Sequence, residues 1–132
     1  MTEHIDTIAH DNGIHEIIVK TSSRQAVEEM FDYILHVHQT ISKQPKPKAR
    51  FLVIIAADRD MPMNAISART RKDRDQWVKD SRSATLTNNK TMANFGIRVL
   101  ASMRLINGEA LYFLHEERED AIKWLLRPSR EE

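Results

Sequence analysis

The sequence Glu109-Ala-Leu-Tyr-Phe-Leu114 is followed, after one histidine, by Glu116-Glu-Arg-Glu-Asp-Ala-Ile-Lys-Trp-Leu-Leu126, and these two stretches decide the fold class. The first is a short apolar run with aromatic residues, which predicts a β-strand. The second begins with acidic residues, which suit the positive end of a helix macrodipole, and closes on an apolar cluster. Arg127-Pro128 ends it, because proline cannot continue a helix. A strand followed by a helix that folds back onto a sheet predicts a layered α/β domain.

Composition indicates one globular domain spanning residues 1–132. The chain is 41% hydrophobic and 30% charged, which is typical of a folded protein in water. It has no cysteine, which excludes disulfides and thiolate metal sites and favours the cytoplasm. Neither a signal peptide nor an apolar run of the roughly 20 residues needed to span a bilayer is present. We therefore do not expect a membrane-spanning protein.

Turn and cap residues divide the rest of the chain. Asn12-Gly13 is a strong hairpin signal, and Ser22 with Gln25 forms a capping box ahead of an amphipathic helix. Pro45 and Pro47 exclude helix from the connection that follows. The predicted elements are strands at 5–10 and 14–20, a helix to about 42, a strand at 51–57, a helix from 63 to about 80, a strand at 84–87, a helix at 91–106 ended by Asn107-Gly108, a strand at 109–114 and the terminal helix.

The element order β-β-α-β-α-β-α-β-α predicts an α/β fold with a single-layer, mostly parallel sheet and helices packed on it. The N-terminal hairpin supplies an antiparallel edge, and the apolar run Phe51 to Ala57 is the interior strand. This order resembles the STAS domain (sulfate transporter and anti-sigma-factor antagonist) with its SpoIIAA-like fold. Phe113 and Ala121-Ile-Lys-Trp-Leu125 are similar to the end of the stand-alone bacterial branch. The resemblance implies a non-catalytic regulatory or protein-interaction module.

One departure from that family concerns regulation by phosphorylation. Its anti-sigma-factor antagonists carry a phosphorylatable Ser or Thr at the start of the helix after the central strand. Here that segment, Ala57 to Asn64, contains no hydroxyl, and Ser67 and Thr70 lie a turn or more downstream. A phosphate acts through local charge at a helix start, so the position cannot move that far. We predict no phospho-switch, and leave open whether Ser67 or Thr70 is modified.

The predicted partner-binding site is the loop that follows the interior strand. Ligands and partners of open α/β sheets gather beyond the carboxyl ends of the strands. A protein partner is expected but not identified by the sequence, and a homodimer stays open. The predicted partner-binding residues are Asp58, Arg59, Asp60, Met61 and Asn64.

A carrier or sensor of a small apolar or lipid ligand is the first alternative, since STAS-like proteins are similar in layer order to Sec14-type lipid-binding domains. Methionine is common in adaptable apolar pockets, although these side chains also suit ordinary core packing. The residues predicted to line such a pocket, beside Met61, are Met63, Ile66, Met92 and Phe95.

Anion or nucleic-acid binding through segment 69–82 is the second alternative. Residues 43–104 carry 14 basic and 5 acidic side chains, whereas both flanking segments are net acidic and the whole chain is +1. Such asymmetry makes a basic face unless the acidic ends fold against the basic middle and neutralise it. Nucleic acid is not the expected partner, because few aromatic residues accompany the segment. The candidate anion-binding residues are Arg69, Arg71, Lys72 and Arg74.

No motif predicts an enzyme, a cofactor or a metal site. The three glycines form neither a phosphate-binding loop nor a nucleophile elbow. Of the six histidines, His36 and His38 lie two apart on a helix and point to different faces. Asp32 and His36 are spaced for a surface hydrogen bond rather than a ligand pair.

Overall fold

A five-stranded sheet forms the centre of the protein in the computed structural model, which describes residues 2–57, 59–88 and 109–128. The strands are β1 (Ile5–Ala9), β2 (Ile14–Val19), β3 (Lys48–Ile55), β4 (Asp80–Thr87) and β5 (Glu109–Leu114). Their spatial order is β1-β2-β3-β4-β5, with β1 antiparallel to β2 and the other pairs parallel. The α/β class, the mostly parallel sheet and the antiparallel hairpin at its edge are therefore confirmed.

The hairpin turn has the chemistry that Asn12-Gly13 predicts. Gly13 adopts φ +90°, which glycine reaches without a steric penalty. The side-chain oxygen of Asn12 accepts a hydrogen bond from the N–H of Ile14 at 3.0 Å. These contacts set the register in which Ala9 lies opposite His15.

The described helices are α1 (Arg24–Ile41), α2 (Met63–Asp73) and α3 (Arg118–Leu125). Short 3-10 turns follow α2 at Arg74–Gln76 and precede α3 at His115–Glu117. The cap of α1 is Ser23 rather than Ser22, because the Ser23 hydroxyl accepts from the Ala26 N–H at 3.1 Å. None of these helices has the length and apolar content of a membrane span. The predicted helix at 91–106 and its Asn107-Gly108 end lie outside the described residues.

Helix α2 ends about seven residues before the predicted position near Asp80, and β4 begins there instead of at Ala84. The cause is His38 of α1. Its Nδ1 accepts a hydrogen bond from the backbone N–H of Val78 at 3.1 Å, and its ring stacks on Trp77 with centroids 5.7 Å apart. This contact holds the chain extended after Trp77 and leads it into β4.

Strand β3 buries side chains on both of its faces. Ala49, Phe51 and Val53 belong to the core cluster formed with α1 and α2. Leu52 belongs to a second cluster on the opposite face, formed with β4 and α3. The interior strand is therefore confirmed, although it begins at Lys48 and ends at Ile55 rather than spanning 51–57.

Two buried arginines hold the C-terminal end of α3. Arg50 Nε donates to the Leu125 carbonyl at 2.9 Å, and its Nη2 contacts Asp80 Oδ1 at 2.8 Å. Arg82 Nη1 donates to the carbonyls of Trp124 and Arg127 at 3.0 and 2.8 Å. Cationic groups are favourable at this negative end of a helix dipole. The arginines therefore orient α3 on the sheet.

Trp124 packs beside Phe113 as predicted, with ring centroids 6.2 Å apart, but it is only partly buried. Its other neighbour is the Arg82 guanidinium, which lies 5.8 Å from the ring centroid. The fully buried residues of α3 are Ala121 and Leu125. Trp124 therefore covers the edge of the second core cluster while Leu125 fills it.

We expect Leu125→Ala to lower the free energy of unfolding by about 2–5 kcal/mol, because it leaves a cavity in a core that α3 closes. Leu126→Ala is the matched control and should change it by no more than about 0.5 kcal/mol. The two leucines are adjacent, but Leu125 is 0% exposed and Leu126 48%. Urea denaturation measures both values. Equal effects would show that α3 does not dock as described.

The buried His38 makes stability depend on pH. Burial lowers its pKa from 6.5 to about 4, so the folded state favours the neutral ring. Because the folded pKa is the lower one, this stabilisation is complete above pH 6.5 and is lost as the pH falls toward 4. The free energy of unfolding of the parent should fall as the pH is lowered from 7 to 5. In His38→Gln this fall should be smaller by about 2 kcal/mol, because the buried histidine is absent. Urea denaturation at a series of pH values tests this. The control His36→Gln, at an exposed position, should lose as much unfolding free energy between pH 7 and 5 as the parent does. The prediction is contradicted if His38→Gln also loses as much as the parent.

Candidate functional site

The loop after β3 lies at the edge of the sheet where the parallel strands end. Arg59, Asp60 and Asn64 are exposed there, and Asp58 lies outside the described residues. His115, just after β5, donates from Nε2 to the Ile55 carbonyl at 3.0 Å and so ties the ends of β5 and β3 together. The loop predicted to bind a partner therefore follows a strand end that a hydrogen bond from His115 holds in place.

Met61 anchors this loop to the core. Its side chain is buried in the cluster of α1 and β3, so it is not part of the accessible surface predicted for partner binding. The next residue, Pro62, begins α2 by accepting hydrogen bonds on its carbonyl from Ala65 and Ile66 at 3.0 and 3.2 Å. The exposed residues on either side of Met61 are consequently held on a rigid base.

Helix α2 presents its outer face as a continuation of the loop. Asn64 and Ala68 are exposed one turn apart, and Arg71 and Lys72 follow in the last turn. We call Arg59, Asp60, Asn64 and Ala68 the docking surface. These residues lie outside both core clusters, so the surface can change with little effect on packing.

The inner face of α2 is held to α1 by an ion cluster centred on Arg69. Its Nη1 lies 3.0 Å from Glu28 Oε2, and its Nη2 lies 3.0 Å from Asp32 Oδ1 and 2.8 Å from Asp73 Oδ2. The guanidinium also lies 5.6 Å from the centroid of the Phe31 ring. The spacing of Asp32 and His36 in the sequence suggested a hydrogen bond between them. In the structure Asp32 pairs with Arg69 instead.

The centre of the cluster is shielded from water, whereas the side chains of its α1 carboxylates, Glu28 and Asp32, are 43% and 71% exposed. The Arg69 side chain is 8% exposed and that of Asp73 1%. Burial alone would lower the pKa of Arg69, but hydrogen bonds to Asp73 and Asp32 raise it above its usual value. Arg69 Nε and Asp73 Oδ1 have no hydrogen-bond partner among the described residues. The two terminal nitrogens of Arg69 thus hold α2 against α1 through carboxylates of both helices.

The candidate anion-binding residues do not form one open patch. Arg69 points inward and is already neutralised by carboxylates, so it is not available to an external anion. Arg71 and Lys72 are exposed, and Arg74 is half-buried in the 3-10 turn. Of the four, only two thus project fully into solvent.

The hydroxyls of α2 are not placed like a phosphorylation switch. The Thr70 hydroxyl is buried and donates to the Ile66 carbonyl at 2.8 Å. Ser67 is half-buried on the same helix. Neither stands at the exposed start of the helix, where added phosphate charge would act most strongly.

The predicted ligand pocket falls partly outside the described residues, which exclude Met92 and Phe95. Met63 and Ile66 are half-buried at the start of α2, and Ile66 packs against the core beside Met61. Ile66 thus takes part in ordinary core packing. The pocket therefore stays a prediction.

The histidines of the hairpin serve separate contacts. His10 lies 3.1 Å from Glu16, which Arg118 also contacts at 2.6 Å, whereas His15 contacts the Tyr33 hydroxyl at 3.0 Å. Burial alone would raise the pKa of Glu16, but hydrogen bonds from Arg118 and His10 hold it below its usual value. Within the described part of the chain, no three His, Asp or Glu side chains are grouped so that they could hold a metal ion.

Comparison of the chain with protein-family models, curated proteins and solved structures finds no match. The resemblance to the STAS domain therefore stays a prediction. What the chain binds is inferred from its own surfaces and charges.

Sequence reasoning missed the Arg69 cluster. Arg69 and Asp73 are spaced four apart on one helix, and so are Glu28 and Asp32 on another, which is a visible local signal. The contact between the two pairs is long-range, because Arg69 and Glu28 lie 41 residues apart in the chain. Nothing in either helix by itself indicates that contact.

We expect Arg69→Met to lower the free energy of unfolding by about 3–5 kcal/mol, because it leaves Asp73 buried without a counterion. The double variant Arg69→Met, Asp73→Leu should be more stable than the single one, since it removes the stranded charge. Exposed Arg71→Met is the control and should change stability by at most about 0.5 kcal/mol. Urea denaturation of the four proteins measures this. A double variant less stable than the single one would contradict the buried ion pair.

Proposed function

We propose that this protein is a non-catalytic protein-interaction module of STAS type that binds its partner through the docking surface. The main observation behind the proposal is that a row of four exposed residues lies on a firmly packed base. These residues are Arg59, Asp60, Asn64 and Ala68. Below that row, Met61 is buried in the core and Arg69 joins α2 to α1. Exposed residues on a rigid base suit binding, because little conformational entropy is lost on association.

The proposed module acts without a phosphate switch at this surface. The supporting observation is the buried Thr70 hydroxyl, whose hydrogen bond goes to the helix itself. A partner would therefore recognise the unmodified surface, and regulation would come from the amount or state of the partner. The absence of cysteine from the sequence supports a cytoplasmic site of action.

The carrier alternative has weaker support. Met61 is already used in the core, and the two half-buried residues of the predicted pocket pack at the start of α2. The docking surface, in contrast, contributes to neither core cluster. We therefore prefer protein binding to ligand carriage.

A cross-linking experiment in the native host tests the docking surface. A photo-cross-linking amino acid replaces Asn64, and the adduct is identified by mass spectrometry. We expect Ala68→Arg to abolish the adduct, because a long charged side chain would then fill the contact one turn away. Arginine is nearly as good a helix former as alanine, so α2 should lose no more than about 0.3 kcal/mol.

Ala9→Arg is the matched control, because Ala9 is also an exposed alanine but lies at the end of β1. It should leave the adduct unchanged, and circular dichroism should show both variants folded. An adduct that survives Ala68→Arg would refute the docking surface. So would the absence of any adduct from position 64.

A further inference from the structure

All three described helices run from the same edge of the sheet to the opposite one. The start of α1 lies by the carboxyl ends of the strands, where its Glu29 accepts a hydrogen bond from Thr2 at 2.5 Å. Its last turns lie at the amino ends, where Gln39 contacts Gln76 at 3.3 Å. Helix α3 likewise ends on Arg50 and Arg82, near the starts of β3 and β4. The parallel connections impose this common direction on the helices.

Charge follows that direction. Acidic residues occupy the first turn of α3 and the turn before it, as Glu116, Glu117, Glu119 and Asp120 illustrate, whereas the first turn of α1 contains none. Basic residues occupy the last turns of α2 and α3 and the chain after α1. Each placement complements a helix dipole. Because the helices share one direction, the amino edge of the sheet becomes electropositive although the whole chain is only +1.

Two basic segments that are distant in sequence converge at this edge. Residues 43–48 lead from α1 into β3, and residues 71–79 lead from α2 into β4. Lys48 is the register partner of Asp80, which places the two strand starts side by side. The hydrogen bond between Val78 and His38 brings Lys79 close to the end of α1. We call the exposed side chains Lys43, Lys46, Arg71, Lys72 and Lys79 the basic edge.

Acidic groups only partly offset this charge. Asp75 is exposed in the 3-10 turn after α2, and Asp11 is exposed in the hairpin turn at the same end of the sheet. Asp80 is paired with Arg50 at 2.8 Å. The basic edge therefore keeps a clear excess of positive charge.

We propose that the basic edge binds the phosphate backbone of duplex nucleic acid without reading its sequence. Phosphate contacts need only positioned cations, and they supply most of the affinity of non-specific binding. This inference concerns a different edge from the docking surface and does not depend on it.

Residues 43–48 and 71–79 expose no large hydrophobic side chain, and this favours nucleic acid over other anionic partners. The described residues include three exposed large hydrophobics, Ile8, Leu111 and Leu126. Ile8 and Leu111 share a sheet face with Leu52 of the α3 cluster, and Leu126 follows α3 itself. Ile8 and Leu111 thus lie on the sheet face away from α1 and α2, and Leu126 lies at the amino edge on the α3 side of the sheet. Protein interfaces and membrane-surface helices usually need apolar anchors where they bind.

The position of the Trp77 ring favours duplex over single-stranded nucleic acid as the partner. Binding of single strands relies on aromatic side chains that stack on bases. Trp77 lies between Lys72 and Lys79 in the chain, but its ring is partly buried and is stacked on His38. The edge therefore offers charge without a stacking platform.

Fluorescence anisotropy with a labelled DNA duplex of about 20 base pairs tests the proposal across about 50–200 mM salt. We expect a logarithmic salt slope of about −3 to −4, which corresponds to roughly four phosphate contacts. The variant Lys43→Glu, Lys46→Glu should bind about tenfold more weakly and reduce the steepness of the slope by about 2.

The variant Lys20→Glu, Arg24→Glu is the matched control, because it changes the net charge equally but at two exposed positions at the carboxyl edge. It should bind within about twofold of the parent, and thermal melts should show both variants folded. If both variants bind the duplex equally weakly, the loss of affinity reflects net charge alone, and the proposal is overturned. Tighter binding to single-stranded DNA, to poly-glutamate or to phosphatidylserine vesicles would also overturn it, as would no binding at low salt.

Discussion

Burial of β3 on both faces is the constraint on which the rest of the structure depends. Alternate side chains of this strand enter different cores, Phe51 and Val53 toward α1 and α2, and Leu52 toward α3. A shift of one residue in its register would exchange the two sets. The helices can close both cores only if β3 keeps its place between β2 and β4. The loop that follows β3 inherits this rigidity.

Internal arginines explain how a chain with a basic middle segment folds compactly. Arg50 and Arg82 bind carbonyls at the end of α3, and Arg69 binds carboxylates from α1 and α2. Each arginine is largely buried but has several acceptors, which offsets much of its desolvation. Charge that looks like a single basic segment in the sequence is thus divided. Part of it joins elements together, and part stays exposed at the amino edge.

The two proposed surfaces lie at opposite ends of the same sheet. The docking surface follows the carboxyl end of β3 and combines charges of both signs, Arg59 and Asp60, with the small Ala68. The basic edge combines cations from two connections near the strand starts. The three described helices start at the end that holds the docking surface and finish at the end that holds the basic edge.

The sequence by itself determined the types of the strands and helices that the structure describes, the hairpin and the interior strand, because periodicity, Asn12-Gly13 and an unbroken apolar run act through neighbouring residues. It also placed the exposed loop after β3. Only the tertiary structure decided where α2 ends and which cations are accessible. The end of α2 depends on His38, 40 residues before Val78, and Arg69 is neutralised by Glu28, 41 residues away. Such pairings arise from packing between elements, and local propensity carries no information about them.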